Sequence, residues 1–271
     1  MSRGVCALLV LLLCEVSVVH ADDNDSVDYR VHIMKTMEYE AAAINLILDK
    51  KVPPDNLRAH AQILAATAAT ALKAFEPAAV AGRSKASIWD NWPDFSRRMN
   101  ELATNTSLLA RTLDAANLKA AAGSVRAALT CNACHDIYRQ SRPDVDTPGA
   151  ATAVVDYRRD IMATLNEQSQ ALGMIVAASV PDENASAHLQ IIALTAAAAL
   201  RSFEPKVPGG EARDEVWTNW ADFSKRMNEF ATATALAARN AKEKGPGAGL
   251  ADIDKTLSCK SCHDLYRDSS Q

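Results

Sequence analysis

Trp89-Asp90-Asn91-Trp92-Pro93-Asp94-Phe95-Ser96-Arg97-Arg98-Met99-Asn100-Glu101 returns, at an offset of 128, as Trp217-Thr218-Asn219-Trp220-Ala221-Asp222-Phe223-Ser224-Lys225-Arg226-Met227-Asn228-Glu229. The same offset carries Tyr29-Arg30 onto Tyr157-Arg158, His60 onto His188, Phe75-Glu76-Pro77 onto Phe203-Glu204-Pro205, and Cys131 onto Cys259. The register never slips, so the chain holds two copies of one folding unit. Ser141-Arg142-Pro143-Asp144-Val145-Asp146-Thr147-Pro148-Gly149, polar and with two prolines, marks the junction. The expected division is a leader over 1–21, one unit over 22–143 and a second over 149–271.

Each copy reads as four helices. Tyr29, Ile33, Met37, Ala41, Ile44 and Leu48 recur at spacings of three and four, which predicts a first helix over about 26–50. Pro53-Pro54-Asp55 stops it and offers Asp55 as the N-cap of a second helix running to Phe75. After a loop to Asp90, Asn91 with Asp94 resembles a capping arrangement for the third helix. The fourth is expected from Asn117 to Gln140. Alanine is abundant and aromatics make up only 5%, so sheet-building runs are scarce. The prediction is an all-α chain of two tandem antiparallel four-helix bundles. The 271 residues suffice for two ordinary domains, and a net charge of −4 argues against a nucleic-acid partner.

The first residues read as an export leader. Arg3 supplies a positive start, Val5 to Val19 is mostly apolar, and Val19-His20-Ala21 resembles a cleavage site. The apolar run is short for a membrane span, and no other stretch could serve as one. Periplasmic export in unfolded form is the expectation, with no membrane span after cleavage. Cys6 and Cys14 would leave with the leader, so the mature chain would keep Cys131, Cys134, Cys259 and Cys262.

Those four sit in Cys131-Asn132-Ala133-Cys134-His135 and Cys259-Lys260-Ser261-Cys262-His263. On a helix the two thiols and the histidine share a face. Two thiols can then bond covalently to the two vinyl groups of one haem while His135, or His263, ligates the iron. A redox dithiol would not require the histidine. A four-cysteine zinc site has suitable spacing, but leaves both histidines unexplained. Two haem c groups are the expected cofactors. No catalytic constellation recurs beside them, so the chain is not expected to be an enzyme.

Around this motif the chain resembles a known family. Cys131-Asn132-Ala133-Cys134-His135-Asp136-Ile137-Tyr138-Arg139 and Cys262-His263-Asp264-Leu265-Tyr266-Arg267 are similar to the C-terminal haem motif of the cytochrome c′ family. Tyr29-Arg30 with Met34 resembles the family's first helix, and Trp92 to Phe95 the opening of its third. The resemblance covers both copies almost end to end, although most members carry one such domain.

The resemblance implies that Met34 and Met162, four residues after Arg30 and Arg158, sit over the distal haem face. In the family's low-spin branch a methionine there binds the iron, which suits electron transfer between periplasmic redox partners. Typical members instead leave the iron five-coordinate and open to nitric oxide or carbon monoxide, and that is the alternative. A methionine on an apolar stripe is also ordinary core filler, and Met99 and Met227 recur equally. Arg139 and Arg267 stand one turn beyond the histidines, within reach of the imidazole or a propionate, and Arg30 and Arg158 could likewise pair with propionates. His60 and His188 are expected to be capping or surface residues rather than ligands, and His32, with Asp160 as its counterpart, to be solvated. Trp92 and Trp220 are expected to pack rather than relay electrons. The oligomeric state is left open: many relatives dimerise through their first two helices, and an in-chain pair could replace that contact.

Overall fold

The computed structural model describes residues 23–141, 152–256 and 259–268. The leader and most of the expected junction lie outside the described residues. The first copy builds α1 (Asp23–Leu48), α2 (Leu57–Ala71), α3 (Ser87–Asp90), α4 (Trp92–Thr112), α5 (Leu118–Ala128) and α6 (Cys131–Tyr138). The second repeats them as α7 (Ala153–Val176), α8 (Ala185–Ala199), α9 (Glu215–Thr218), α10 (Trp220–Lys244), α11 (Pro246–Thr256) and α12 (Cys259–Tyr266). Among the described residues there is no strand, and the fold is all-α as expected. No described helix is long and apolar enough to cross a membrane.

Three local expectations need correction. The predicted fourth helix is split, because Leu129 and Thr130 leave helical backbone angles between α5 and α6. The break lets α5 bury Ala121, Val125 and Ala128 against Ile44 and Ile47 of α1, while α6 turns towards α3. Asp55 is not the cap of α2. Residues Pro54–Asn56 form a single tight turn, and Asn56 occupies the cap position with its amide turned elsewhere. Asn91 does begin α4, but no capping bond forms: its amide donates to the Tyr138 hydroxyl, and Asp94 is taken by Tyr138, Arg97 and Arg98.

The copies do not stand apart. The most extensive helix pairing in the molecule joins α1 to α7, and α2 also packs on α8. The first two helices of each copy thus form a central layer, with α4 and α10 on its outer sides. Its apolar body includes Ile33, Ile44, Ile47, Ile161 and Leu172, all essentially inaccessible. Each such side chain contributes about 1.5–3 kcal/mol.

A ladder of polar groups runs through this layer. The Tyr157 hydroxyl lies 2.7 Å from His60 Nε2, and the Tyr29 hydroxyl lies 2.7 Å from His188 Nε2. His60 Nδ1 meets Glu40 at 2.8 Å, and His188 Nδ1 meets Gln168 at 2.7 Å. Thr164 donates to Glu40, and Gln168 donates to Thr36, each at 2.8 Å. Asn56 and Asn184 donate to Tyr157 and Tyr29 in turn. His60 and His188 are therefore not surface residues: both are fully buried, each satisfied on both ring nitrogens. His32 is not freely solvated either, for its Nδ1 lies 2.5 Å from Glu167 of α7.

Candidate haem attachment sites

Each haem motif is held from two sides by the chain's own bonds. The loop before α3 pairs with the end of α6: the Lys85 amide donates to the Tyr138 carbonyl at 3.0 Å, and the Gln140 amide to the Arg83 carbonyl at 2.8 Å. The second copy repeats this with Arg213 to Tyr266 at 3.0 Å and Asp268 to Glu211 at 2.8 Å. From α4, Asp94 accepts the Tyr138 hydroxyl at 2.7 Å and Arg98 Nε at 2.6 Å, and Arg98 also reaches the Ala133 carbonyl inside the motif. Tyr266, Asp222 and Arg226 reproduce the first two contacts. The bonds to Tyr138 and the two arginines hold the Asp94 carboxyl far below its usual range.

Below each motif lies an aromatic cluster. Phe95 stands edge-on to Tyr138 at 5.2 Å and against Phe75 at 5.0 Å, and Phe223 does the same with Tyr266 and Phe203. Trp92 and Trp220 pack on Phe95 and Phe223 at 5.8 Å, in the packing role expected. Met34 is half-buried on α1 against the cluster that contains Phe95, Met99 and Tyr138. Met162 is half-buried on α7 against the one that contains Phe223, Met227 and Tyr266. Met99 and Met227, by contrast, are buried inside those clusters.

The four cysteines are free thiols on α6 and α12. Burial pushes Cys131, Cys134 and Cys262 up from their ordinary value. Reactive redox dithiols depend on the opposite, a thiolate stabilised near neutral pH. Among the described residues no three His, Cys, Asp or Glu side chains gather as a metal site. His135 is half-buried, with Arg139 Nη1 3.1 Å from its Nδ1. Burial first, then the charges of Arg139 and Arg83, lower its pKa and favour the neutral ring that binds metal. Burial and Arg267 do the same to His263.

Arg30 and Arg158 are the least ordinary residues of the two sites. Each guanidinium is buried, lying 5.2–5.4 Å from two aromatic centroids: Phe75 and Trp89 for Arg30, Phe203 and Trp217 for Arg158. One nitrogen of each donates to a backbone carbonyl, Ala79 or Val207, at 2.7 Å. The other, Nη1, is buried with no protein partner in either copy. A buried cation with a spare donor fits a carboxylate supplied by a cofactor. The residues present thus fit a haem with its propionates.

The sequence reading missed the ladder of Glu40, Thr36, Asn56 and their counterparts. The signal that pointed to it was the recurrence of Tyr29, Asn56 and His60 in both copies, since polar residues repeated on apolar helical faces have reason to be buried together.

The fold and the paired motifs define a haem c-binding helical-bundle protein. A family model described as Cytochrome C′ matches residues 25–139 and again 153–267. The chain belongs to the cytochrome c′ family, in tandem form. A cytochrome c′ of Alcaligenes xylosoxydans xylosoxydans is 26% identical over 123 residues, covering 42% of this chain and 91% of that protein. Among solved structures, a ferrous arginine-to-lysine variant of cytochrome c prime from Alcaligenes xylosoxidans with bound NO is 22% identical. It covers 47% of this chain and 100% of its own length, with a TM-score of 0.38.

Proposed function

We propose that the protein is an exported, periplasmic electron carrier with two haem c groups, one per copy, each with a histidine and a methionine axial ligand. The observation that carries this reading is that each copy sets a half-buried methionine of its first helix against the apolar cluster that also holds the tyrosine ending its Cys-x-x-Cys-His helix. Haem supplies the one-electron chemistry of its iron. The chain's own residues do the rest. Cys131 and Cys134, and Cys259 and Cys262, would hold the haem covalently through their thiols. His135 and His263 would ligate the iron, His135 through Nε2, since Arg139 lies 3.1 Å from its Nδ1. Arg30 and Arg158 offer buried donors to the propionates. Met34 and Met162 would supply the second iron ligand, which would exclude small ligands and favour transfer without chemistry.

The absorption spectrum tests this directly. Sharp alpha and beta bands in the reduced protein, unaltered by carbon monoxide, are the expected result. Met34→Ala should make the first haem alone bind carbon monoxide. A broad high-spin spectrum in the unaltered protein that shifts with the gas would support the second reading, a five-coordinate protein that binds nitric oxide or carbon monoxide. That reading has the NO-bound relative as its precedent.

A further inference from the structure

The two halves of the buried polar ladder differ at one residue: Glu40 of α1 has Gln168 of α7 as its counterpart. Around His188 every hydrogen has a place to go. Asn184 donates to the Tyr29 hydroxyl, which donates to His188 Nε2. His188 Nδ1 donates to Gln168 Oε1, the Gln168 amide to Thr36, and the Thr36 hydroxyl to the His32 carbonyl at 2.9 Å. The donors all point one way, and the run carries no charge.

Around His60 the same run stops at Glu40. Asn56 donates to the Tyr157 hydroxyl, so that hydroxyl's own hydrogen goes to His60 Nε2 at 2.7 Å. His60 Nδ1 then donates to Glu40 Oε2 at 2.8 Å, while Thr164 donates to Oε1. Two donors thus converge on a residue only 1% exposed. Among the described residues no lysine or arginine pairs with it. From α2 it faces His60, and from α7 it faces Thr164, Tyr157 and a second carboxyl, Asp160. α5 meets α1 through Ala121, Val125 and Ala128. The turn at Lys73–Phe75 reaches α1 at Arg30, and Lys73 itself pairs with Glu76 and Glu183. A carboxylate at Glu40 is therefore a buried anion held by neutral donors. One proton removes that charge without breaking the ladder. Glu40 then donates to Thr164, as Gln168 donates to Thr36, and the Thr164 hydroxyl turns to the Asp160 carbonyl one turn back.

Glu40 also lies between the two candidate iron-ligating methionines. It stands six residues along α1 from Met34, about 9 Å at the helical rise, and bonds to Thr164, two residues beyond Met162. We propose that Glu40 is a redox-linked proton site, taking up a proton when a haem is reduced and releasing it on oxidation; the inference rests on the haem-bearing reading above. The step balances. A one-electron redox partner supplies the electron that takes ferric iron to ferrous, and solvent supplies the proton that takes the Glu40 carboxylate to the carboxylic acid. Reduction removes one positive charge from the neighbourhood, so the buried anion becomes costlier and the proton is drawn in. Gln168, on the other side of the layer, is a fixed neutral counterpart.

The test is a spectroelectrochemical titration of the full haem-loaded chain at a series of pH values, with haem counted separately as its alkaline pyridine complex. The reduced-to-oxidised ratio at a fixed potential should fall as pH rises through the neutral range, by roughly threefold to tenfold in all. Glu40→Gln, neutral at every pH, should remove that fall and hold the haems at the easily reduced, low-pH limit. Thr164→Val takes a donor from the carboxylate and should move the fall to higher pH, a reading that survives if Glu40→Gln fails to fold. Infrared difference spectra give a second readout: reduction should bring in a carboxylic acid C=O band that Glu40→Gln lacks. Two haems per chain with either readout unchanged in Glu40→Gln would overturn the proton site and leave the haem reading standing. Fewer than two haems per chain would remove both.

Discussion

His188 sits at the centre of a buried hydrogen-bonded cluster, and burial holds its pKa down to about 4. Between about 4 and 6.5 the unfolded chain binds a proton that the folded chain refuses, so stability falls as pH drops through that window. Asp160 acts in the opposite sense. Burial, with Asp156 and Glu40 nearby, raises it to about 7, so the folded chain holds a proton that the unfolded chain releases. Its ionisation costs stability as pH rises from about 4 to 7. Asp160→Asn should therefore raise the urea midpoint above pH 7, with the gain gone near pH 4. In that variant the midpoint should decline steadily from pH 6.5 to 4, and a flat profile would refute a neutral buried His188. The cysteines and their histidines were proposed for haem attachment from spacing, whereas Met34 and Met162 were named only through the family resemblance. Arg30 could be named but not explained, because its orphaned nitrogen exists only once Ala79, Phe75 and Trp89 enclose it.

The split fourth helix has consequences at the level of elements. In the second copy α11 packs on α10 and α8 so closely that a Cβ at Gly249 would lie 2.6 Å from Ala241 Cβ, 2.7 Å from the Ala237 carbonyl and 2.7 Å from Leu189 Cδ1. The backbone carbonyl cannot yield, so Gly249→Ala should lift α11 and cost about 1–3 kcal/mol. Gly123, on the equivalent helix α5, has nothing within 4 Å of such an atom. Gly123→Ala should stabilise by about 0.5–1 kcal/mol through helix propensity and a stiffer unfolded chain. Thermal unfolding of both variants checks the pair, and equal shifts would contradict the difference in packing. The position of α1 was legible from apolar spacing and that of α2 from the prolines that precede it. The break at Leu129-Thr130 was not, since neither residue is a Gly or Pro and the cause lies in where α5 and α6 must dock.

For the whole molecule, the polar ladder sets the register of one copy against the other. Thr36 meets Gln168 and Glu40 meets Thr164, so α1 and α7 run antiparallel. Met162 then stands level with a point about eight residues along α1 from Met34, roughly 12 Å at the helical rise. Buried polar groups that pair only in one arrangement specify that arrangement, because any slip leaves them unsatisfied. A double-mutant cycle of His60→Ala and Tyr157→Phe should show coupling of about 0.5–3 kcal/mol in unfolding free energy, whereas additive effects would deny the contact its role. The helices that join the copies are covered within the chain, so sedimentation should show a monomer at micromolar concentration.

The repeat, the helical class and the haem chemistry of the motifs were determined by the sequence itself. Each rests on local information: an offset, a period of 3.6 residues, or two thiols and an imidazole brought to one face by spacings of three and four. Only the tertiary structure decided how the copies meet, and that His60 and His188 belong to that meeting rather than to a surface or an iron. It alone set Arg139 against His135 and gave Arg267 to Glu211. These are contacts between residues far apart in the chain, and the energies that select them exist only once packing has removed water from the groups involved.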